Sequence, residues 1–285
     1  MNRLSTEKRA QIVTALVEGN SIRSTCRMTG AAKGTVLSLL ADLGSACAVY
    51  HDEQVRNVSA KRIQCDEIWS FCYGKDKNVS EDRKSQGAGS LWTWTALDAD
   101  SKLIVSYLCG GRDAAWAKNF MKDVAARVTT RVQITTDGHK AYLEAVEGAF
   151  GMDVDYALLI KLYGSPAQPD TRYSPGVCIG TESVVVSGNP DYKHISTSYV
   201  ERQNLTMRMS MRRFTRLTNA FSKKLENHEH MLAIYFMYYN FCRIHQTLRV
   251  TPAMQSGIAS HVWSIQELVA LADPTSILDA LKRTA

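Results

Sequence analysis

The sequence lacks the apolar segments that mark membrane and secreted proteins. No run of 18 apolar residues occurs, so a membrane-spanning helix is not expected. The opening residues, MNRLSTEKRA, lack the apolar core that a signal peptide needs. We therefore expect a cytoplasmic protein with no membrane partner.

Paired cysteines are also missing. The chain has seven cysteines, an odd number, and none of them forms a CxxC pair. Several lie inside apolar runs, which favours reduced, buried thiols over a disulfide framework or a zinc site. The hydrophobic fraction of 45% over 285 residues is enough for a sizeable core in one large domain or two ordinary ones.

Basic charge is in modest excess overall and is concentrated in one stretch. The formal net charge is +6, a weak indication of a polyanionic partner. The stretch from Tyr199 to Lys224 alone holds one acidic residue, Glu201, and seven basic ones: Arg202, Arg208, Arg212, Arg213, Arg216, Lys223 and Lys224. Its first half has helical spacing, which would place Glu201, Leu205, Arg208 and Arg212 on one face. Two interpretations stay open: a solvated basic helix, or a metal-binding carboxylate held beside a DNA backbone.

The amino-terminal residues 1–45 predict three helices. Ser5 and Ser21 are placed to cap the first two, Gly30 turns the chain, and a third helix is expected from about Ala32 to Asp42. A short helix, a glycine-containing turn and a second helix are typical of a helix-turn-helix. Its candidate DNA contacts are Arg23, Arg27, Lys33, Thr35 and Ser38. The alternative is a plain three-helix bundle that binds protein, and residues 46–59 are expected to be a linker.

The central residues 60–255 predict an α/β domain. Strand-like runs occur at residues 62–71, 91–97, 103–109, 132–136 and 156–162, and helical spacing occurs at residues 116–128 and 140–150. Three strands in a meander, followed by helix, strand, helix, strand and helix, is the element order of a ribonuclease-H-like domain.

Three acidic residues fall where separate elements of such a domain would converge. Asp66 lies within the first strand, Asp137 ends the fourth, and Glu201 comes from the later helix. Converging carboxylates are what two-metal phosphoryl chemistry requires, because Mg²⁺ prefers carboxylate oxygens. Glu67 is an alternative ligand to its neighbour Asp66. Asp98 and Asp100 are rival acids in a turn.

Three motifs in this order resemble the DDE transposases of the insertion-sequence-one family. They are Cys65-Asp66-Glu67-Ile68-Trp69, then Thr136-Asp137-Gly138 with Tyr142, then Glu201-Arg202-Gln203-Asn204-Leu205 through Arg208 to Phe221-Ser222-Lys223. The resemblance covers roughly residues 60 to 224 and is most specific in the last motif. This chain lacks the amino-terminal cysteine motif that many such transposases carry.

The resemblance implies a function and a set of site residues. Asp66, Asp137 and Glu201 would be the catalytic triad and would bind two Mg²⁺ or Mn²⁺ ions. Arg202, Asn204, Arg208, Arg212, Arg213, Arg216 and Lys223 would contact DNA. The protein would bind the terminal inverted repeats of an insertion sequence, cleave a strand and transfer it to target DNA, as at least a dimer and associated with the nucleoid.

The remaining segments carry weaker predictions. Residues 163–198, rich in proline and glycine, are expected to be an insertion that folds over DNA or contacts a second protomer. Residues 256–285 are expected to form a helical tail, with helices at residues 262–272 and 277–281. Two functional alternatives stay open: a ribonuclease-H-fold nuclease that cuts without joining, and a domesticated DNA-binding regulator.

Overall fold

The structure, a computed structural model, describes residues 4–164, 177–216 and 218–273. Its helices are α1 (Thr6–Val17), α2 (Ile22–Thr29), α3 (Lys33–Gln54), α4 (Glu81–Lys84), α5 (Ala114–Arg127), α6 (Ala141–Phe150), α7 (Ser198–Ser210), α8 (Leu225–Met237), α9 (Pro252–Gln255) and α10 (Ile265–Ala270). Its strands are β1 (Arg62–Cys72), β2 (Gly89–Asp98), β3 (Ile104–Gly110), β4 (Val132–Thr136), β5 (Val154–Tyr163) and β6 (Cys178–Ser187).

The six strands form one sheet in the order β3-β2-β1-β4-β5-β6. The strands β1, β2 and β3 pair antiparallel as a meander, whereas β4 pairs parallel with both β1 and β5. This mixed α/β arrangement confirms the predicted order of elements through β5. It also places the carboxyl end of β4 beside the middle of β1 at the centre of the sheet.

The amino-terminal helices begin where the sequence predicts, and α2 ends before Gly30 as expected, whereas α3 continues beyond its predicted end. The hydroxyls of Ser5 and Ser21 accept hydrogen bonds from backbone N–H groups in the first turns of α1 and α2. Gly30, with φ of 69°, ends α2 in the left-handed conformation that glycine adopts without strain. Three residues separate α2 from α3, and the chain bends by 113° between them.

The predicted linker at residues 46–59 is wrong for its first nine residues, which continue α3 to Gln54. The buried positions Val36, Leu40, Leu43, Cys47 and His51 follow one another at steps of three or four residues. The apolar face of the helix therefore extends well beyond Asp42, and the polar residues near position 52 lie on its other faces.

Two glycines let the amino-terminal helices pack closely on the rest of the chain. A Cβ at Gly44 of α3 would lie 2.6 Å from the Cα of His230 and 2.8 Å from its carbonyl oxygen on α8. A Cβ at Gly19, where φ is 82°, would lie 2.8 Å from the carbonyl oxygen of Met209 on α7. The α1–α3 unit is thus packed directly against the helices that follow the sheet.

The predicted insertion at residues 163–198 is wrong in part, because residues 178–187 form a sixth strand. Strand β6 pairs antiparallel with β5 from Tyr156 to Tyr163 and extends the edge of the sheet. Its side chains are mostly exposed, so the two-residue apolar alternation that marks a half-buried strand is missing from the sequence. Residues 165–176 of the insertion lie outside the described residues.

The carboxyl-terminal elements largely match the expectations. Helix α8 is buried along most of its length, and Thr251 caps α9 with Pro252 in the first turn. The predicted helix at residues 262–272 is present in shortened form as α10, and the helix at residues 277–281 lies outside the described residues. Within the described residues, no single helix has both the length and the apolarity needed to cross a membrane. The bent pair α2–α3, taken together, has the length and composition of a membrane-spanning segment.

A buried histidine on α3 makes the stability of the fold sensitive to pH. The His51 ring is 3% exposed, and its Nε2 lies 3.1 Å from the carbonyl oxygen of Ile104 on β3. Burial is the main cause that lowers the pKa of His51 to about 4, and the nearby Arg127 lowers it further. The Ile104 carbonyl, Asp123 and Asp52 act in the opposite direction.

His51→Gln is expected to flatten the loss of stability in acid. In the unfolded chain the histidine takes up its proton near pH 6.5, before the folded protein can, so His51 costs no stability above pH 6.5 and progressively more as the pH falls towards 4. The gap between the two pKa values corresponds to about 3 kcal/mol in full. Urea unfolding of both proteins at several pH values between 7.5 and 4.5 measures the difference. Parallel curves of stability against pH would contradict the assignment.

Candidate active site

Asp66 and Asp137 lie close together just beyond the point where the pairing of β1 with β4 ends. Pairing joins Gln64 to Thr135, and Asp66 and Asp137 each lie two residues further along their strands. Because side chains alternate along a strand, residues two positions beyond a pair return to the same face. The backbone N–H of His139 donates to Asp137 Oδ1 at 2.9 Å, which fixes this carboxylate just after the strand.

Glu67 is the third carboxylate of the cluster. Oxygens of Asp66, Glu67 and Asp137 all lie within 4.8 Å of one another. Glu67 is buried, accepts a hydrogen bond from the Tyr142 hydroxyl at 3.0 Å, and is bonded to Arg112 Nε at 2.7 Å. Sequence reasoning left Glu67 as an alternative to Asp66, whereas the structure brings both to the same place.

Asn204 contacts Asp66, and its assignment as a DNA contact stays a prediction. Its side chain is 4% exposed, and its Nδ2 donates to Asp66 Oδ2 at 2.8 Å. The other oxygen of Asp66 accepts from the backbone N–H of Glu67 at 2.9 Å. Helix α7 therefore holds the central carboxylate from the face of the sheet opposite Tyr142.

Burial and the close approach of the carboxylates raise the pKa of two of them. Burial, followed by the negative charges of Glu67 and Asp137, raises the pKa of Asp66 to about 7. Burial and the charge of Asp137 also raise the pKa of Glu67, although Arg112 and Tyr142 oppose the rise. The cluster thus carries unfavourable charge repulsion that a bound cation would relieve.

Glu201 lies on the wall of the same cavity and is engaged by a lysine. Its Oε2 is paired with the ammonium group of Lys161 on β5, and its Oε1 accepts from the hydroxyl of Thr197. It is outside the group of three whose oxygens lie within 4.8 Å of one another. Its role as a metal ligand stays a prediction.

These side chains line one open cavity of about 910 Å³. Its lining combines the four acids with the basic residues Arg112, Lys140, Lys161 and Arg208. Such a mixture suits a substrate that is itself anionic, because the cations offset the repulsion between the carboxylates and a phosphate.

A second cavity of about 770 Å³ lies between the amino-terminal helices and the segment after α7. Its basic lining residues are Arg23, Lys33, Arg212, Arg213, Lys223 and Lys224. We call it the basic groove. It joins candidate DNA contacts that the sequence places far apart.

Two of the predicted DNA contacts are placed differently from expectation. Arg212 lies beyond the end of α7 at Ser210 and so does not share the face of Glu201. Arg213 is turned inward, with its Nη1 3.2 Å from the Ser222 hydroxyl and also bonded to the carbonyl oxygen of Asn227. Burial lowers the pKa of Arg213 to about 10, and one role of this side chain is to hold the segment in place.

The other predicted DNA contacts fall into two groups. The exposed ones are Arg23, Arg27, Lys33, Ser38, Arg202, Arg216 and Lys223, whereas Thr35 and Arg208 are partly buried. The assignment of these residues to DNA stays a prediction.

Sequence reasoning missed Arg112 and Lys161. Arg112 follows the end of β3 in a Gly-Gly-Arg turn that belongs to no motif, so the sequence offers no signal for it. Lys161 is the one charged residue in the run Tyr156–Tyr163, and an isolated lysine inside an apolar strand is a signal that could have been used.

The residues of the cluster fit a hard divalent cation. The donors are carboxylate oxygens, which Mg²⁺ and Mn²⁺ prefer, and the Asn204 Oδ1 beside them is a buried oxygen without a hydrogen-bond partner. Asp66 and Asp137 are the two best placed to hold such an ion, together with Glu67 or Glu201.

Comparison with known proteins gives matches among solved structures alone. No protein family model matches the sequence, and no match was found among curated proteins. The cryo-EM structure of the piggyBac transposase synaptic complex with hairpin DNA is 11% identical, with a TM-score of 0.45 over 99% of this chain and 73% of that one. The Mos1 strand transfer complex is 10% identical, with a TM-score of 0.33 over 98% and 80% of the two chains.

A third structure, the Mos1 transposase paired-end complex with the left transposon end, is 10% identical with a TM-score of 0.24. It overlaps 55% of this chain and 60% of that one. Identities and scores this low assign the chain to neither family, so its function is inferred from the geometry of its own site.

Proposed function

We propose that this chain is a DNA transposase of the DDE type, similar to the insertion-sequence-one family. It would bind the terminal inverted repeats of its element, cleave a strand at the element end and join the freed 3′-hydroxyl to target DNA. The observation that carries the proposal is the cluster of Asp66, Glu67 and Asp137, where the end of β4 meets the middle of β1. The cluster lies in an open cavity ringed by basic side chains.

The roles of the chain's own residues follow from their contacts. Asp66 and Asp137 would hold the metal, Asn204 keeps Asp66 oriented, and Glu201 would complete the site once it separates from Lys161. Arg208, Lys140 and Lys161 would then neutralise the phosphates on either side of the scissile bond. Two Mg²⁺ or Mn²⁺ ions, when bound, activate the attacking oxygen and stabilise the leaving one.

The amino-terminal helices support binding of duplex DNA. A three-residue connection and a 113° bend between α2 and α3 fit the geometry of a helix-turn-helix, in which two helices cross at about 90–120°. Arg23 and Lys33 beside the turn line the basic groove together with Arg212 and Lys223. One DNA backbone would therefore contact both regions, and its binding should weaken steeply with salt.

Joining both ends of an element requires two active sites, so the active form would be at least a dimer on DNA. The described part of the chain supplies one cavity with the carboxylate cluster per protomer. A synaptic assembly would bring a second copy of this cavity to the other end.

The test is cleavage and joining of defined DNA. A labelled duplex carrying the inverted repeat that flanks the gene is incubated with Mg²⁺ or Mn²⁺, in parallel with a precut end and a supercoiled plasmid. We expect nicking at the repeat boundary with the first substrate and joining to the plasmid with the second.

Two outcomes would contradict the proposal. Nicking without joining of the precut end would indicate a nuclease of the same fold. Tight, salt-sensitive binding of the repeat with neither reaction would indicate a DNA-binding regulator.

A further inference from the structure

A row of aromatic side chains leads away from the carboxylate cluster on one face of the sheet. Trp69 and Phe71 follow Glu67 at two-residue steps along β1, so all three side chains point to the same face. Trp92 of β2 is directly opposite Trp69 in the register, and Phe221 packs on Phe71 with ring centroids 4.8 Å apart. We call Trp69, Phe71, Trp92 and Phe221 the aromatic strip.

The strip is partly exposed although its rings are large and apolar. Trp69 is 41% exposed, and the other three rings are half-buried. The Trp69 and Phe71 centroids are 5.6 Å apart with planes inclined at 36°, and the Phe71 and Phe221 planes are inclined at 34°. The rings thus form an ordered series of similarly tilted surfaces.

The strip is held in position by the backbone and by polar contacts. The segment carrying Phe221 is tied to the end of β1, where the N–H of Tyr73 donates to the carbonyl oxygen of Ser222 at 2.8 Å. The indole N–H of Trp69 donates to the Ser90 hydroxyl at 3.1 Å. Because its polar atom is already bonded, what Trp69 offers to a ligand is the face of its ring.

Cations lie over rings at both ends of the strip. The Arg112 guanidinium lies 4.4 Å from the centre of the Trp92 ring, beside the carboxylate cluster. The Lys223 ammonium lies 3.8 Å from the centre of the Phe221 ring. A third pair, Arg83 over Tyr73 at 5.0 Å, lies just beyond β1. A ligand on the strip therefore meets flat apolar surfaces flanked by positive charge.

We propose that the aromatic strip binds unpaired DNA bases next to the phosphate that is cleaved. Exposed aromatic rings combined with a cationic border are the features with which proteins bind single-stranded nucleic acid, because every base has a face that stacks and every linkage carries a negative charge. The proposal rests on the proposed function for the identity of the nucleic acid, and on the strip itself for its single-stranded character.

The position of the strip matches this occupant. At about 3.3 Å per residue, Trp69 lies about 7 Å and Phe71 about 13 Å along β1 from Glu67, a span of a few nucleotides. A strand whose phosphate lies in the carboxylate cavity would pass its neighbouring bases over Trp69 and Phe71. Opening the duplex there exposes those bases, and stacking on the rings offsets the cost of unpairing.

The test compares two oligomers that differ in their bases alone. Binding of a short fluorescein-labelled oligothymidylate and of an abasic oligomer of the same length is measured by anisotropy with EDTA present, so that no cleavage occurs. The phosphates are the same in both, so a difference reports the bases. We expect oligothymidylate to bind roughly tenfold or more tightly, since stacking contributes about 1–3 kcal/mol per base.

Trp69→Ala should remove most of that preference, and Trp69→Phe should keep part of it. The matched control is Tyr192→Ala, which removes an aromatic side chain that is 68% exposed and lies outside the strip. Thermal unfolding of each variant checks the fold. We expect little change in the unfolding temperature of Trp69→Ala because the Trp69 ring is substantially exposed.

The outcomes separate this inference from the proposed function. Equal binding of both oligomers, or a preference that survives Trp69→Ala, would overturn it. A change in sedimentation mass in Trp69→Ala with an unaltered preference would also overturn it and make the strip a contact between copies. A base preference lost in Trp69→Ala, in a protein that neither nicks nor joins DNA, would support the strip while the transposase proposal fails.

Discussion

Replacing Asp137 by asparagine is expected to slow DNA cleavage about a thousandfold while leaving DNA binding nearly unchanged. The change removes one negative charge from the cluster that would hold the divalent ions, and such ions contribute several kcal/mol of transition-state stabilisation. A factor of a thousand corresponds to about 4 kcal/mol. Single-turnover cleavage of the labelled repeat measures the rate, and anisotropy with the same duplex in EDTA measures binding.

The fold should tolerate this substitution. The Asp137 side chain is 39% exposed, and asparagine retains the oxygen that accepts the hydrogen bond from His139. Asp153→Asn, at a side chain 80% exposed and paired with Arg131, is the matched control and should cleave normally. Mn²⁺ at 100 times its dissociation constant should stabilise the wild-type protein by about 2.7 kcal/mol, and Asp137→Asn should lose that gain. Normal cleavage by Asp137→Asn would exclude the proposed site.

The same assay distinguishes the two candidates for the third ligand. Glu201→Gln is expected to abolish cleavage and spare DNA binding. Glu67→Gln should keep measurable cleavage, because the Glu67 side chain is fully buried and held by Arg112 and Tyr142, whereas the Glu201 side chain is 36% exposed to the cavity. The reverse result would make Glu67 the third ligand and leave Glu201 as the ion-pair partner of Lys161.

Gly44→Ala is expected to lower the free energy of unfolding by about 3 kcal/mol or more. Its Cβ would lie 2.6 Å from the His230 Cα and 2.8 Å from its carbonyl oxygen, and both contacts are with backbone. Because no rotamer change relieves a backbone clash, α3 and α8 must move apart, and overpacking of this kind costs about 1–3 kcal/mol even where side chains can shift. Chemical denaturation measures the loss. Limited proteolysis should show earlier cleavage within residues 1–54.

Gly34→Ala is the control on the same helix. Nothing lies within 4 Å of a Cβ at Gly34, so alanine there should leave stability unchanged or raise it by about 0.5–1 kcal/mol. Equal stability of the two variants would show that the close contact between α3 and α8 is not maintained in solution.

The sequence was sufficient for the elements whose apolar period is regular. Strand β4 occupies the predicted residues, and α1, α2, β1 and α6 differ from prediction by a few residues at most. The end of α3 was missed because polar residues around Asp52 resemble a linker, although Cys47 and His51 continue the buried face. Strand β6 was missed because an exposed edge strand needs no alternation of apolar and polar residues.

The sequence predicted the acidic residues that belong to motifs, but not the contacts that these residues make in the folded site. Asp66 lies within β1 and Asp137 follows the end of the adjacent parallel strand β4, a consequence of element order that the sequence does contain. The contact of Asn204 with Asp66, and the pairing of Lys161 with Glu201, depend on how α7 lies across the sheet. That placement is set by packing between residues far apart in the chain, so local patterns do not contain it.

Helix α3 has a mechanical consequence for the choice of cleavage position. It is unbroken over 22 residues, about 33 Å, with Lys33 at one end and the close contact of Gly44 with α8 in its second half. One residue added between them would rotate the first turn by about 100° and shift it by about 1.5 Å. In the proposed function, the number of base pairs between the bound sequence and the cut phosphate is therefore set by the length and phase of a rigid helix.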